Sequence, residues 1–268
     1  MFLTGATVPG GDASNEDWMA ATPDLIVVLD GATVRTETGC HHGPAWYTRK
    51  LGASIIAIAA DRQLALPDVL AAAIVDVANL HPECDLQRPG APSAAVGIVR
   101  VQDKALHYIV LGDVTIVADT TAGLEVISDH RVSKTAAAER ALADQYPIGA
   151  PEKADALIAM KRVELDAQNR EGGYWIAAAV PAAVEHALVG EFDAAAVRQF
   201  ALLSDGASRL VDDFQTTTWE EALDLLANSG PTELIRRVRE IEDADPLGER
   251  YHRNKKSDDA TAIYASTR

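Results

Sequence analysis

The chain has 268 residues, 48% of them apolar, enough to fill a substantial core and suited to one large domain or two small ones. Acidic residues outnumber basic ones by 40 to 24, for a formal charge of −16, which works against phosphate backbones and anionic membranes because binding either needs a basic surface. No apolar run approaches the roughly 18 residues of a membrane helix, and the opening MFLTGATVPGGDASNED lacks the basic start and apolar stretch of a signal peptide, so a soluble cytoplasmic protein is expected.

In chain order, DLIVVLD (24–30) is a short continuous apolar run, as expected of a strand buried on both faces. PAWYTRKLGASIIAIAADR then places Tyr47, Leu51, Ile55 and Ile58 on one helical stripe, and PDVLAAAIVDVANL does the same with Leu70, Ile74, Val77 and Leu80. Three β segments follow: SAAVGIVRV, ALHYIVLG and VTIVADT. QDK between the first two reads as a hairpin loop, and GD between the second and third again suggests antiparallel neighbours. From about 133 to 170 an Ala- and charge-rich stretch reads as helix interrupted around YPIGAP. GGYWIAAAV and QFALLSDG return to strand character, TWEEALDLLANSG and PTELIRRVREIEDA are amphipathic helices, and ATAIYA is a terminal strand. Strands and helices come in clusters without strict alternation, which favours an α+β layered fold over a parallel doubly wound one. With no repeat or long linker, residues 1–268 are expected to form one domain.

The two cysteines, Cys40 and Cys84, are expected to be free thiols in a cytoplasmic chain of this size. GCHHG and HPEC each set a His near a Cys, which raises a tetrahedral zinc site. Their spacings depart from the standard zinc patterns, so packing or a role beside the substrate is the expectation.

The carboxylates carry more information. NED (15–17) precedes the first strand region. Asp30 and Asp205 each end an apolar strand and are followed by Gly, Asp113 sits in the LGDV turn, and Asp258 and Asp259 open the last strand. A strand end holds an aspartate rigidly, and the following Gly lets the backbone approach a ligand closely. If these ends converge, they form a set of hard oxygen ligands suited to Mg²⁺ or Mn²⁺. Asp-Gly is also a common turn dipeptide, so one instance alone means little; the order of all five is the informative feature.

That order, NED, VVLDG, LGDV, LLSDG and a terminal DDATAI, resembles the motif series of the protein phosphatase 2C family, the metal-dependent Ser/Thr phosphatases, over about residues 5 to 265. The resemblance implies a four-layer α-β-β-α sandwich with two central antiparallel sheets. It implies a phosphorylated protein or small phosphoester as substrate, and two Mn²⁺ or Mg²⁺ ions, with a third in bacterial members. By the same resemblance Asp30 bridges two metals with the Gly31 carbonyl on one of them, Glu16 ligates the second metal, and Asp17 orients metal-bound water. Asp205 and Asp258 hold the first metal, and Asp113 joins Asp205 at a third. Asp259 stands where the family usually has Asn and is expected to point away from the ions, since neighbours on a strand alternate sides. The implied chemistry is hydrolysis by a hydroxide shared between the metals, attacking phosphorus in line.

Three departures from the pattern follow. Asp12 takes the place of the Arg that grips phosphate, ATV follows the first Asp-Gly in place of His or Met and further Gly, and LGDVT lacks the usual Ser/Thr-Arg. His41 or His42 of CHHG is a candidate general acid, since imidazole suits proton transfer near neutral pH. Arg35, Arg49, Arg170 and Arg209 are candidate phosphate clamps, Arg170 the most suggestive because it precedes a Gly pair and a strand. The missing Arg motivates a second reading, a catalytically weak regulatory or binding protein that kept the metal-site fold.

Overall fold

The computed structural model describes residues 1–86 and 88–266. The strands pair into two antiparallel five-stranded sheets. One has the order β1 (Phe2–Val8), β10 (Ala260–Ser266), β9 (Val197–Leu203), β6 (Thr115–Thr120), β7 (Gly123–Ile127). The other runs β2 (Trp18–Ala21), β3 (Leu25–Gly31), β4 (Ala94–Gln102), β5 (Ala105–Leu111), β8 (Leu188–Asp193). Helices α1 (Pro44–Ala59) and α2 (Leu66–Asn79) cover the second sheet, while α7 (Trp219–Ser229) and α8 (Pro231–Ala244) cover the first. The shorter α3 (Arg131–Lys134), α4 (Ala137–Ala143), α5 (Pro151–Ala167) and the one-turn α6 (Asp205–Ser208) complete the set.

Three apolar interfaces separate the four layers. Val27 and Leu29 of β3 face Leu51, Ile55, Leu70 and Ile74 of the first helical pair. Ile26 and Val28, on the opposite side of the same strand, face Ile116, Phe200, Leu202 and Ile263 across the gap between the sheets. Ala201, Leu203 and Tyr264 meet Leu223, Leu226, Leu234 and Val238 of the second helical pair. The continuous apolar run of β3 thus has its expected cause: alternate residues enter two different interfaces. The expected stripe of α1 is buried at Tyr47, Leu51 and Ile55, and that of α2 at Leu70, Ile74 and Val77, with Leu66, Val69 and Ala73 widening it and Leu80 exposed. Helix α7 begins with a capping box: Thr218 accepts from the Glu221 backbone N–H and the Glu221 carboxylate accepts from that of Thr218.

Two expectations are corrected. The LGDV turn does not close a hairpin, because β5 and β6 lie in different sheets. Gly112, at φ +88°, turns the chain where an added Cβ would sit 2.7 Å from that of Ala95, and buried Val114 carries it across the inter-sheet core. The crossing sets Asp113 at the rim between the sheets. GGYWIAAAV is not a strand; it makes two isolated bridges, Tyr174 to Gln168 and Ala177 to Ala94, the latter through both backbone bonds at 2.9 and 3.1 Å, before a 3₁₀ turn over Pro181–His186. The QDK loop is a hairpin as expected, with Asp103 and Lys104 both at positive φ, the conformation that matches strand twist.

Candidate functional site

The ends of β3, β5, β9 and the lead into β10 open on one cavity of about 600 Å³ at the rim of the two sheets. Asp30, Gly31, Asp113, Asp205 and Asp258 all line it, so four of the five acidic spots converge there. Asp205 begins α6, and its backbone N–H donates to Asp30 Oδ2 at 3.2 Å. The next residue is Gly206, where a side chain would collide with the Asp259 carbonyl; its absence lets Asp205 and Asp258 share one wall. Glu16 and Asp17 stand behind. Glu16 Oε2 accepts from Thr33 Oγ1 at 2.8 Å, and buried Asp17 accepts from Ser204 Oγ at 2.8 Å, whose oxygen in turn accepts from the Thr261 N–H at 2.9 Å. The other oxygen of Asp17, Oδ1, is buried with no hydrogen-bond partner.

Electrostatics follow from this crowding. Burial, then Asp205, Asp17, Asp113 and Asp258, push Asp30 well above the ordinary carboxylate range. Burial, then Asp258 and Asp113, do the same to Asp205, against the opposing pull of Arg209. Asp113 is raised mainly by burial, and burial lifts Asp17 to about 7 although Thr261 and Ser204 oppose it. A wall of this kind needs protons or cations to be stable.

Protein cations meet part of that need. Asp258 accepts from Arg209 Nη2 at 3.0 Å and pairs with Lys255 Nζ at 2.5 Å, and Lys255 also reaches Thr33 Oγ1 at 2.9 Å. Buried Arg209 is shared with Glu242 at 2.6 Å, so it is part of the scaffold and not a free clamp. Asp259 is turned away from the cavity, as expected, although the pair stands in the lead into β10 and not in the strand itself. Its two oxygens accept the backbone N–H groups of Gly10 at 2.7 Å and Glu16 at 2.6 Å.

Other expected residues are elsewhere. Arg49 is exposed on α1 and Arg170 is exposed after α5, and neither lines the cavity. Arg170 sits in a turn closed by the Asn169 N–H donating to the Tyr174 carbonyl at 2.8 Å. His41 and His42 do not line the cavity either; they gather with Cys40, His81 and Cys84. Arg35 does line the cavity, half-buried, with no hydrogen bond or ion pair at its guanidinium among the described residues. The sequence reading missed Lys161, Arg140, Glu164, His130, His252 and Lys255 on the same walls. Lys255 had a signal, the basic pair beside Asp258; α5 offered none, because its polar face resembles any solvated helix.

No family model and no curated protein matches the chain. Solved structures do match it. The Ser/Thr phosphatase PstP/Ppp of Mycobacterium tuberculosis aligns at 16% identity with a TM-score of 0.59, covering 99% of this chain and 97% of that one. A catalytic domain of the Ser/Thr protein phosphatase PstP in complex with two manganese ions gives 17% and 0.57 over 99% and 97%. The PPM Ser/Thr phosphatase MsPP of Mycobacterium smegmatis gives 20% and 0.55 over 98% and 97%. At such identities the likeness is one of fold. The four-layer sandwich implied by the motif series is the fold these phosphatases share.

Proposed function

We propose that the chain is a divergent member of the protein phosphatase 2C family, a metal-dependent phosphoester hydrolase acting on phosphoserine or phosphothreonine in proteins or on a smaller phosphoester. The observation that carries this is the convergence of Asp30, Asp113, Asp205 and Asp258, from four separate strand ends, on one cavity. The donor set fits divalent cations. It consists of hard oxygens, Asp17 Oδ1 is an orphaned buried acceptor behind them, and like charges raise each neighbour's proton affinity. Asp30, Asp205 and Asp258 with the Gly31 carbonyl would hold Mn²⁺ or Mg²⁺, Glu16 a second ion, and Asp113 with Asp205 a third. Bound cations of this kind supply Lewis acidity, acidifying water and neutralising phosphoryl charge.

The chain's own groups do the rest. Arg35 is placed to hold the phosphate by a bidentate pair, since its guanidinium makes no hydrogen bond or ion pair among the described residues, though Asp258, Glu164 and Glu16 act on it at longer range. Asp17, anchored by Ser204, orients water toward phosphorus. His130 and His252, both on the cavity wall, replace His41 as the imidazoles available to protonate a leaving oxygen. Lys255 must release Asp258 before that carboxylate ligates an ion, which makes it a competitor for the first metal.

This competition favours a second reading, a protein that binds phosphorylated partners with little turnover. Hydrolysis of p-nitrophenyl phosphate and of a phosphothreonine peptide separates the two. Mn²⁺-dependent turnover is expected, abolished by EDTA and by Asp30→Asn, with Arg35→Ala raising KM about tenfold, the worth of about 1.4 kcal/mol. Turnover indifferent to EDTA would remove the metal-hydrolase reading; Mn²⁺ binding without turnover would install the second.

A further inference from the structure

Two loops outside the acidic cavity bring four soft ligands together. Cys40 and His42 lie in the loop between β3 and α1, and His81 and Cys84 in the loop that leaves α2. One ligand atom from each lies within 4.8 Å of the others. Cys40 Sγ is 3.3 Å from His81 Nδ1 and 3.4 Å from His42 Nδ1, and Cys84 Sγ is 3.6 Å from His42 Nδ1. Zinc bonds of about 2.3 Å to sulfur and 2.0–2.1 Å to nitrogen, set at tetrahedral angles, give sulfur–nitrogen edges of about 3.5 Å. These three sulfur–nitrogen edges match, while the sulfur–sulfur edge is shorter than the roughly 3.8 Å of such a tetrahedron and has to open when the ion binds. The two sulfurs, 3.2 Å apart, are joined by a thiol hydrogen bond and not by a disulfide.

We propose that Cys40, His42, His81 and Cys84 form a closed, structural Cys₂His₂ site for one Zn²⁺ ion, distinct from the acidic cavity. Two thiolates and two imidazoles in a tetrahedron select zinc over the hard cations that carboxylates take. A two-iron cluster with Cys₂ on one iron and His₂ on the other would separate sulfur from nitrogen, whereas here each sulfur has a nitrogen in edge contact. The surroundings are those of a built site. The His42 backbone N–H points at Cys40 Sγ at 3.4 Å, the Asp85 N–H donates to the Gly39 carbonyl at 2.9 Å to tie the loops, and His81 is only 4% exposed. The Trp46 ring packs on both imidazoles, tilted over His42 with ring centroids 4.1 Å apart and edge-to-face with His81 at 4.5 Å. With four protein ligands no position is left for substrate, so the ion's role is to staple the 32–43 loop, which carries Thr33 and Arg35 into the cavity, to the α2 exit. The spacing C-x-H…H-x₂-C mixes ligand types within each pair, which is why it does not look like a zinc pattern in sequence.

Elemental analysis of the full chain, expressed with zinc and purified under reducing conditions, should find one zinc per chain. Asp30→Asn/Asp205→Asn should keep it and Cys40→Ser/Cys84→Ser should lose it. X-ray absorption on the wild-type zinc protein should show two sulfurs at about 2.3 Å and two nitrogens at about 2.0–2.1 Å. The Co²⁺-substituted wild type should show intense tetrahedral d–d absorption with thiolate charge-transfer bands. These spectra decide the matter even if the double-serine variant does not fold. The proposal is overturned by a zinc-free chain that takes up no Co²⁺ with a thiolate band, by zinc bound through oxygen alone, or by a Cys40–Cys84 disulfide in anaerobically purified protein.

Discussion

Asp258 and Asp259 show how adjacent identical residues acquire opposite duties. In the extended lead into β10, Asp258 faces the cavity and Asp259 the backbone of the first motif, where each oxygen has one N–H to receive. The Asn usual at this place in the resembling family has one acceptor oxygen, so Asp259→Asn would set an amide NH₂ against either Gly10 or Glu16. We expect it to cost about 1–3 kcal/mol, the price of an unsatisfied N–H, and to lower Tm by several degrees. Asp258→Ala should change stability less, because Arg209 keeps Glu242, but should remove Mn²⁺ affinity. Thermal melts and Mn²⁺ calorimetry on both variants test the pair. Weakened metal binding in Asp259→Asn alone, with Asp258→Ala intact, would reverse the assignment.

Among the elements, the crossing from β5 to β6 matters most to the site, because it delivers Asp113. Gly112→Ala should suffer twice, from positive φ and from contact with Ala95, whereas Gly149→Ala, at φ +93° with nothing within 4 Å, meets only the first penalty. We expect about 1 kcal/mol for Gly149→Ala and at least twice that for Gly112→Ala, read from urea unfolding midpoints; equal losses would mean that the crossing is not tightly packed. The same crossing marks the limit of what the sequence discloses. Helices α1, α2, α7 and α8 and the strands β3, β4, β5, β6, β9 and β10 were legible, since each presents a periodic or continuous apolar pattern to a packed layer. Whether GD joins neighbours in one sheet or crosses between two depends on what lies opposite, here Ala95 and Val114, and local pattern cannot show it. Edge strands β1, β2, β7 and β8 were missed because one side meets solvent and their alternation is weak. The apolar WIAAAV segment misled for the converse reason: it is covered, yet pairs only at Ala177. In the site, aspartates next to glycine were legible; Arg35 could be named but not chosen from among four arginines, and Lys161, on the polar face of α5, and the meeting of Cys40 and His42 with His81 and Cys84 depend on elements coming together at long range.

At the scale of the whole molecule, a chain of charge −16 has concentrated part of that charge in one place, and the consequence is a stability that depends on pH and metal together. Asp17 is raised by burial to about 7, from an ordinary value of 3.8. Between those values the folded chain holds a proton that the unfolded chain has released. The associated stability is fully present below the lower value and lost as pH rises through the upper one. Burial shifts Asp30, Asp113, Asp205 and Glu16 in the same direction, with Asp258 and Asp259 adding negative charge and Arg209 and Lys255 opposing it. Asp245 runs the other way: burial would raise it, but N–H donors from Tyr251, Arg253 and their neighbours hold it down to about 2, so its contribution is lost only in acid. From pH 8 down to 6 the acidic wall should therefore dominate, and protein dialysed free of manganese should melt higher at pH 6 than at pH 8. Manganese bound as proposed would replace protons on the same oxygens, so its stabilisation would follow the deprotonated fraction. Saturating Mn²⁺ should raise Tm more at pH 8 than at pH 6 and narrow or invert the difference between them. Melting curves at the two pH values, with and without Mn²⁺, give all four numbers. An equal Mn²⁺ shift at both would mean that the ion binds where no buried carboxylate titrates, and the acidic cavity would then not be its site.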